Sequence, residues 1–232
     1  MYKFDIHCHC AEGSFCAKAP ARDLVRAYKQ AGFDGIVLTN HVIADMVKRF
    51  DDYRRFIDNQ WQTYLKAKEE GDACGLTVLF GFEYRWDIYD FLVYGLGPDF
   101  MLANPDMFVI SFPEFARRVH DCGGFIIQPH PFRYLKAPIY IPIDDVDAIE
   151  IYNGSHSNVN SPYPAFYNDL AEHFAKEMKR IGTAGSDTHR VTDDGRPNRY
   201  AAMLFEKPIE TIDDLISQIK TRQFTIEKEP IA

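Results

Sequence analysis

Six short motifs along the 232 residues each place a histidine or a carboxylate where a predicted strand ends. His7-Cys8-His9 follows the apolar start at residues 2–6, Asn40-His41 follows residues 35–39, and Phe82-Glu83 follows residues 76–81. Asp90 heads residues 91–95, Pro129-His130-Pro131 follows residues 124–128, and Ser186-Asp187-Thr188-His189 follows residues 181–185. Neutral imidazole and ionised carboxylate are ligands for divalent cations, and strand ends on one rim of a sheet can gather them from distant positions. The pattern predicts a single metal site.

Spacing refines that expectation. His7 and His9 are two apart on a strand, so both can face one pocket, while Cys8 between them points away. That geometry argues against zinc ligation by the Cys8 or Cys10 thiols. Asp5, one step further back, either fixes an imidazole tautomer or serves as a hydrogen-bonded core carboxylate. Glu83 ends an almost wholly apolar strand, where a carboxylate needs a partner. It either bridges two cations or pairs with Arg85 or Arg133. The prolines flanking His130 stiffen its backbone and project the ring in one direction. Asp187 and His189, two apart after small residues, form the strongest local signal. His120 and His173 fall within predicted amphipathic helices and read as structural. His156, in a polar loop over residues 155–163, reads as a substrate contact rather than a ligand.

The elements that must position these groups alternate almost throughout. Pro20 opens a helix through Ala31, which Gly32 closes. Residues 46–70 carry Phe50, Tyr53, Phe56, Ile57, Trp61, Tyr64 and Leu65 at helical spacing, a core-packing stripe. The strands at 76–82 and 91–96 have too short a link for a parallel crossover, so they form an antiparallel pair, with Glu83 and Asp90 at one rim. Ser111 and Glu114 form a capping box for a helix to Cys122. Strands at 125–128 and 148–152, a helix over 165–180 and a strand at 181–184 follow. A strand at 200–205, a helix at 212–221 and a strand at 224–226 end the chain. The expected fold is α/β, one domain over residues 1–232, built as a barrel with mostly parallel strands.

Composition sets outer bounds. A 46% hydrophobic content suits a full core, and a net charge of −8 argues against a nonspecific grip on nucleic acid. Five cysteines, an odd number, suggest no disulfide framework, so Cys16, Cys74 and Cys122 read as core or surface thiols. No apolar run approaches membrane-span length, and the first residues lack a signal peptide's apolar stretch, so a cytoplasmic location is expected.

The ordered motifs, together with Ile149-Glu150-Ile151-Tyr152-Asn153-Gly154, resemble the polymerase-and-histidinol-phosphatase (PHP) family of metal-dependent phosphoesterases. The resemblance runs from about His7 to His189. It implies a distorted (β/α)7 barrel carrying two or three divalent ions (zinc, manganese or iron) at its C-terminal rim. The ligands it implies are His7, His9, His41, Glu83, His130, Asp187 and His189. Three positions depart from the commoner pattern. Glu12 is the nearest carboxylate in the loop where relatives carry aspartate or histidine, and Asp90 stands where histidine is common. Both are oxygen ligands and give the site a harder character. Asn40 replaces an aspartate that often precedes the histidine.

Clustered cations lower the pKa of a shared water, supply hydroxide at neutral pH and bind phosphoryl oxygens. The expected reaction is hydrolysis of a phosphomonoester or small phosphodiester, on a small phosphorylated substrate. Asp187 and His189 serve catalysis, and Arg85, Arg133 and Arg190, beside the motifs, are candidate phosphate clamps, with Arg133 and Arg190 preferred. The rival reaction is C–N bond hydrolysis, although no lysine suited to carbamylation stands at a strand end. A non-catalytic metal-stabilised module is the third reading. With no flanking domain in the sequence, a role inside a polymerase chain is not expected.

Overall fold

The computed structural model describes residues 1–134, 140–156 and 163–228. Its ten strands form one sheet, and seven of them make a nearly closed barrel in the order β1 (Tyr2–Cys8), β2 (Gly35–Leu38), β4 (Thr77–Trp86), β5 (Tyr89–Tyr94), β6 (Phe125–Gln128), β7 (Ala148–Asn153) and β8 (Ile181–Gly185). The two-residue β3 (His41–Val42) lies beside β4, pairing His41 with Glu83. The far edge returns to the first strand: Asp187 N donates to His7 O at 2.8 Å and His9 N to Thr188 O at 2.9 Å. Pairing is parallel except on both sides of β5, so that strand alone runs against the other six. β9 (Ala201–Phe205) and β10 (Phe224–Lys228) extend the sheet antiparallel from the start of β1. The expected barrel of mostly parallel strands is what forms.

One apolar cluster draws on all seven barrel strands, from Phe4 and Ile6 to Ala184, and Leu215, Ile216 and Ile219 of α7 (Ile212–Lys220) join it. Tyr94 crosses this interior, its hydroxyl donating to Ile6 O at 2.6 Å. Side chains fill the barrel, so chemistry is confined to its rim. A second cluster lies against the reversed strand. There Phe91 stacks on Phe112 at 3.8 Å and Tyr84 on Phe115 at 3.9 Å, both partners belonging to α5 (Phe112–Asp121).

The helices follow their caps. α1 (Ala21–Gln30) starts after Pro20, carries Asp23 in its first turn and Lys29 in its last, and turns Leu24, Val25 and Tyr28 inward. The stretch expected as one helix over 46–70 is instead two, α2 (Ala44–Val47) and α3 (Tyr53–Cys74). Asp52 makes the break: it is extended, and its side chain accepts from Arg55 N, an N-cap that starts a new helix. Phe50 therefore packs from the connection, against Phe15 and Phe56. Ser111 caps α5 as expected, but Glu114 reaches Arg117 and Arg118 instead of completing the box. A complete capping box starts α7, between Thr211 and Asp214. α4 (Pro98–Ala103) is a short helix with no clear sequence signal, and α6 (Phe166–Glu177) precedes β8. Residues 157–162 of the expected polar loop lie outside the described residues.

Candidate metal centre

His7, His9, His41, Glu83, Asp90, His130, Asp187 and His189 converge at one end of the barrel. Donor atoms within 4.8 Å of one another form four overlapping groups: His9, His41 and His189; His7, His130 and Asp187; His7, His9 and Glu83; and Glu83, Asp90 and His130. Glu83 lies between two histidine sets. Its Oε1 is 3.2 Å from His130 Nε2 and 3.6 Å from His7 Nε2, while its Oε2 is 2.6 Å from His41 Nδ1 and 3.6 Å from His9 Nε2. Asp187 Oδ1 approaches His9 Nε2 at 3.4 Å, His189 Nδ1 at 3.3 Å and His7 Nε2 at 3.8 Å.

Buried polar atoms are normally hydrogen-bonded. Among the described residues, five buried side-chain atoms are not, and four of them are here: His7 Nε2 and His9 Nε2, together with His41 Nδ1 and Glu83 Oε2, which form an ion pair at 2.6 Å without hydrogen-bond geometry. Three ring nitrogens and a carboxylate oxygen left without hydrogen bonds in one place are what a cation's ligands look like from the protein side. The donor set of imidazole and carboxylate fits a divalent metal.

Further contacts aim the rings. His7 Nδ1 meets Glu150 Oε1 at 2.9 Å, the carboxylate–imidazole pairing that leaves Nε2 free to ligate. Glu150 also accepts from His130 N at 2.9 Å and from Asn153 Nδ2 at 2.7 Å. His189 Nδ1 lies 2.9 Å from Asp187 O, leaving its Nε2 forward. Asn40 accepts from Cys10 N at 2.9 Å and from the Ser14 hydroxyl at 3.1 Å, organising the loop after β1. His130 and Asp187 both sit at positive φ, +33° and +55°. A non-glycine residue there is strained, and here the strain falls on two of the converging groups.

Charge balance within the cluster favours ionised carboxylates. Burial raises the Asp187 carboxyl, but the charges of Arg133 and then His7 outweigh it and hold the group well below the usual range. Glu83 is lowered in the same way, chiefly by His41 against its own desolvation. Burial acts to lower His41, yet Glu83 brings it up to about 10, and Glu150 with Asp187 lifts His7 well above the ordinary imidazole value. His9 goes the other way, lowered by burial and by the neighbouring His189 and His41. A bound cation would take the place of the protons on His7 and His41.

Several expectations need correction. Glu12 faces away from the cluster: its carboxylate accepts from Ala21 N at 2.9 Å, at the start of α1, and meets Lys66 at 3.5 Å. The side chains that reach the cluster from that loop are Ser14, with its hydroxyl 3.4 Å from His9 Nδ1, and Cys16, with Sγ 3.2 Å from His189 Nε2. Arg190 is exposed and lines a surface hollow with Lys18, Asp23 and Arg26. Arg199 reaches the cluster instead, its guanidinium donating to Asp187 O. Asp5 touches no imidazole. It accepts from His7 N and Ser186 N, each at 3.0 Å, and from the Tyr28 hydroxyl, tying β1 to the end of β8. Glu83 pairs with neither arginine: Arg85 holds Asp90 bidentately at 2.7 and 3.2 Å, and Arg133 pairs with Asp187.

The remaining candidates lie as follows. Arg133 lies at the cluster, donating also to Asn153 Oδ1 at 3.2 Å and Ser155 Oγ at 2.6 Å. Cys8 is buried away from the cluster, its thiol toward Val37 O at 3.4 Å, and Cys10 receives a hydrogen bond from Asn40. His156 is beside the cluster, its Nε2 3.2 Å from Arg133 Nε, and His120 pairs with Asp147 at 3.0 Å on the surface.

A family model described as PHP-associated matches residues 166–224, which include Asp187 and His189. No curated protein matches in sequence. Among solved structures, the barrel superimposes on a two-domain protein from Bacteroides vulgatus containing a predicted PHP-like metal-dependent phosphoesterase (TM-score 0.69, 16% identity, 98% of this chain and 65% of that one). It also resembles an amidohydrolase from Chromobacterium violaceum with bound sulfate and no metal (TM-score 0.56, 12% identity, 97% of each chain). The third is the lesion-specific endonuclease Q from Pyrococcus furiosus (TM-score 0.60, 13% identity, 97% of this chain and 57% of that one). The chain thus spans less than two thirds of the Bacteroides and Pyrococcus proteins. The matched segment and the shared fold support the PHP domain family that the motifs resemble. No helix among the described residues is long and apolar enough to cross a membrane.

Proposed function

We propose that this protein is a metal-dependent phosphoesterase that hydrolyses a phosphomonoester or small phosphodiester, using two or three divalent ions of the zinc, manganese or iron class. The observation that carries the reading is the gathering of four buried atoms without hydrogen bonds around Glu83, whose two oxygens face different histidines. His7, His130, Asp187 and Asp90 would hold one side of the centre, His9, His41 and His189 the other, with Glu83 between them. Bound there, the cations supply charge to neutralise phosphoryl oxygens and to acidify water.

The chain's own residues do the rest. Arg133 is fixed by Asp187, Ser155 and Asn153, so its guanidinium is ordered before substrate arrives and can donate to phosphate oxygen. Arg199 adds positive charge 3.7 Å from Asp187 Oδ2. Burial, then Arg133 and His130, lowers His156 to about 2, so it stays neutral and donates or accepts without carrying charge. Replacing Arg133 with alanine should cost about 1.5–3 kcal/mol in kcat/KM, the scale of a charge-assisted hydrogen bond. An unchanged kcat/KM would place the phosphate clamp elsewhere.

A second reading, C–N bond hydrolysis, is favoured by the shared fold of the Chromobacterium amidohydrolase. Endonuclease Q has been captured with duplex DNA bearing an abasic lesion, which makes a nucleic-acid phosphodiester a further candidate substrate despite the net charge of −8. Metal-stripped protein supplied in turn with Mn²⁺, Zn²⁺ and Fe²⁺ should cleave members of a phosphate-ester panel and leave amides intact. Preference for amides over every phosphate ester would overturn the proposal.

A further inference from the structure

We propose that Cys16 is a metal ligand, its thiolate joining the His9, His41 and His189 group beside the shared Glu83 carboxylate. The proposal rests on the metal reading above and adds to it the identity and chemistry of one ligand.

The loop after β1 is pinned on both sides of this residue. Before it, the Ser14 hydroxyl contacts His9 Nδ1 at 3.4 Å and accepts from His41 N at 2.9 Å. After it, Lys18 N and Ala19 N both donate to His189 O, at 2.7 and 3.3 Å. Cys16 is thereby held against the His189 ring, its Sγ 3.2 Å from Nε2. In a tetrahedral zinc site with metal–nitrogen bonds near 2.0 Å and a metal–sulfur bond near 2.3 Å, neighbouring donors lie roughly 3.5 Å apart. The observed contact is close to that edge.

His9 supplies the independent sign of a ligand. It is fully buried, its Nε2 makes no hydrogen bond, and its donor atom lies within 4.8 Å of those of His41 and His189. That nitrogen lies 3.6 Å from Glu83 Oε2 and 3.4 Å from Asp187 Oδ1, and the His9 ring centroid is 4.4 Å from those of His41 and His189, so a cation held by this group would meet it.

Coordination needs no oxidant or reductant. The thiol proton leaves to solvent as the sulfur–metal bond forms. Thiolate selects softer cations than carboxylate does, so this position favours zinc or ferrous iron over magnesium or manganese. The side of the centre formed by His7, His130, Asp187 and Asp90 has no sulfur donor and is the harder of the two. The three imidazoles and the thiolate, with the Glu83 carboxylate beside them, would also leave this position closed, and direct substrate to the other ion.

Cobalt is the probe that separates the possibilities. Metal-stripped full-length protein loaded with saturating Co²⁺ should show visible ligand-field bands and a near-ultraviolet sulfur-to-cobalt charge-transfer band. Cys16→Ser should lose the charge-transfer band and keep ligand-field bands from the remaining ions, while Cys122→Ser, altered on the surface, should keep both. Metal loading should also protect one thiol of the wild type from a chromogenic disulfide reagent, and that protection should vanish in Cys16→Ser. Ligand-field bands without charge transfer in the wild type, or charge transfer surviving in Cys16→Ser, would overturn the assignment and leave the metal centre standing. Absence of all cobalt bands would overturn the metal reading and this one together.

Discussion

At the scale of single residues, Glu83 is the pivot. Each of its oxygens approaches a different pair of histidines, so its loss should weaken both sides of the centre rather than one. Glu83→Gln should lower bound metal and reduce turnover by about 100-fold or more, the upper range for losing even a supporting partner of a metal ligand. Far-ultraviolet circular dichroism should be unchanged, because the residue lies at the rim. Wild-type metal content and activity in this variant would reduce Glu83 to a hydrogen-bonding role. Asp5 gives a separate test through pH. Burial raises its carboxyl from 3.8 to about 6 in the fold, against hydrogen bonds from Ser186, Tyr28 and the His7 backbone. Between those values the folded state binds more protons than the unfolded one, so stability from this group is full below about 3.8 and is lost as pH rises through about 6. Asparagine at this position is neutral at every pH. Relative to Asp5→Asn, metal-stripped wild type should lose about 3 kcal/mol between pH of about 4 and 7, measured by urea denaturation. Parallel pH profiles would contradict it. Glu150 shows what the residue-level reading overlooked. It stands alone in an apolar strand, the same signature that singled out Glu83, yet only the structure shows it gripping His7, His130 and Asn153.

At the scale of elements, the centre depends on the closure between β1 and the end of β8. The two are joined by Asp187 N to His7 O and His9 N to Thr188 O, and by the Asp5 carboxylate. Gly185 permits this approach: a Cβ there would meet His7 Cβ at 2.3 Å and Glu150 Oε1 at 2.6 Å. Gly185→Ala should destabilise the fold by about 1–3 kcal/mol and cut metal binding, since the added methyl displaces the His7–Glu150 pair. A variant with wild-type denaturation midpoint and metal content would show that the closure yields easily. Most of these elements were legible in the sequence because their signals are local. The β4–β5 pair followed from a link too short for a crossover; the hairpin gathers Glu83 and Asp90 in one group, with Arg85, not Glu83, directly opposite Asp90. The long aromatic helix was misjudged because its apolar spacing runs unbroken through a capping aspartate, and Asp52 decides the matter by hydrogen bonding rather than by pattern. Glu12 and Arg190 were misplaced for a related reason. Proximity in sequence to a motif does not say which way a loop side chain turns, and both turn outward. Arg199 and Cys16 carried no spacing signature and became visible only when the chain was folded.

At the scale of the whole molecule, a filled barrel leaves one end where eight motif residues meet, and those residues come from strand ends spread over the chain. Burying that many ionisable groups together costs free energy unless they are paired or bind metal. The protein pairs them incompletely, with four atoms left without hydrogen bonds, which supports the proposal of a centre for more than one cation. The most direct measurement is elemental analysis of the full-length protein after reconstitution with Zn²⁺, Mn²⁺ or Fe²⁺ and removal of loosely bound ions. At least two ions per chain are expected with at least one of these metals, because the donors outnumber the four ligands of a single tetrahedral site. One ion or fewer per chain under every reconstitution would contradict it.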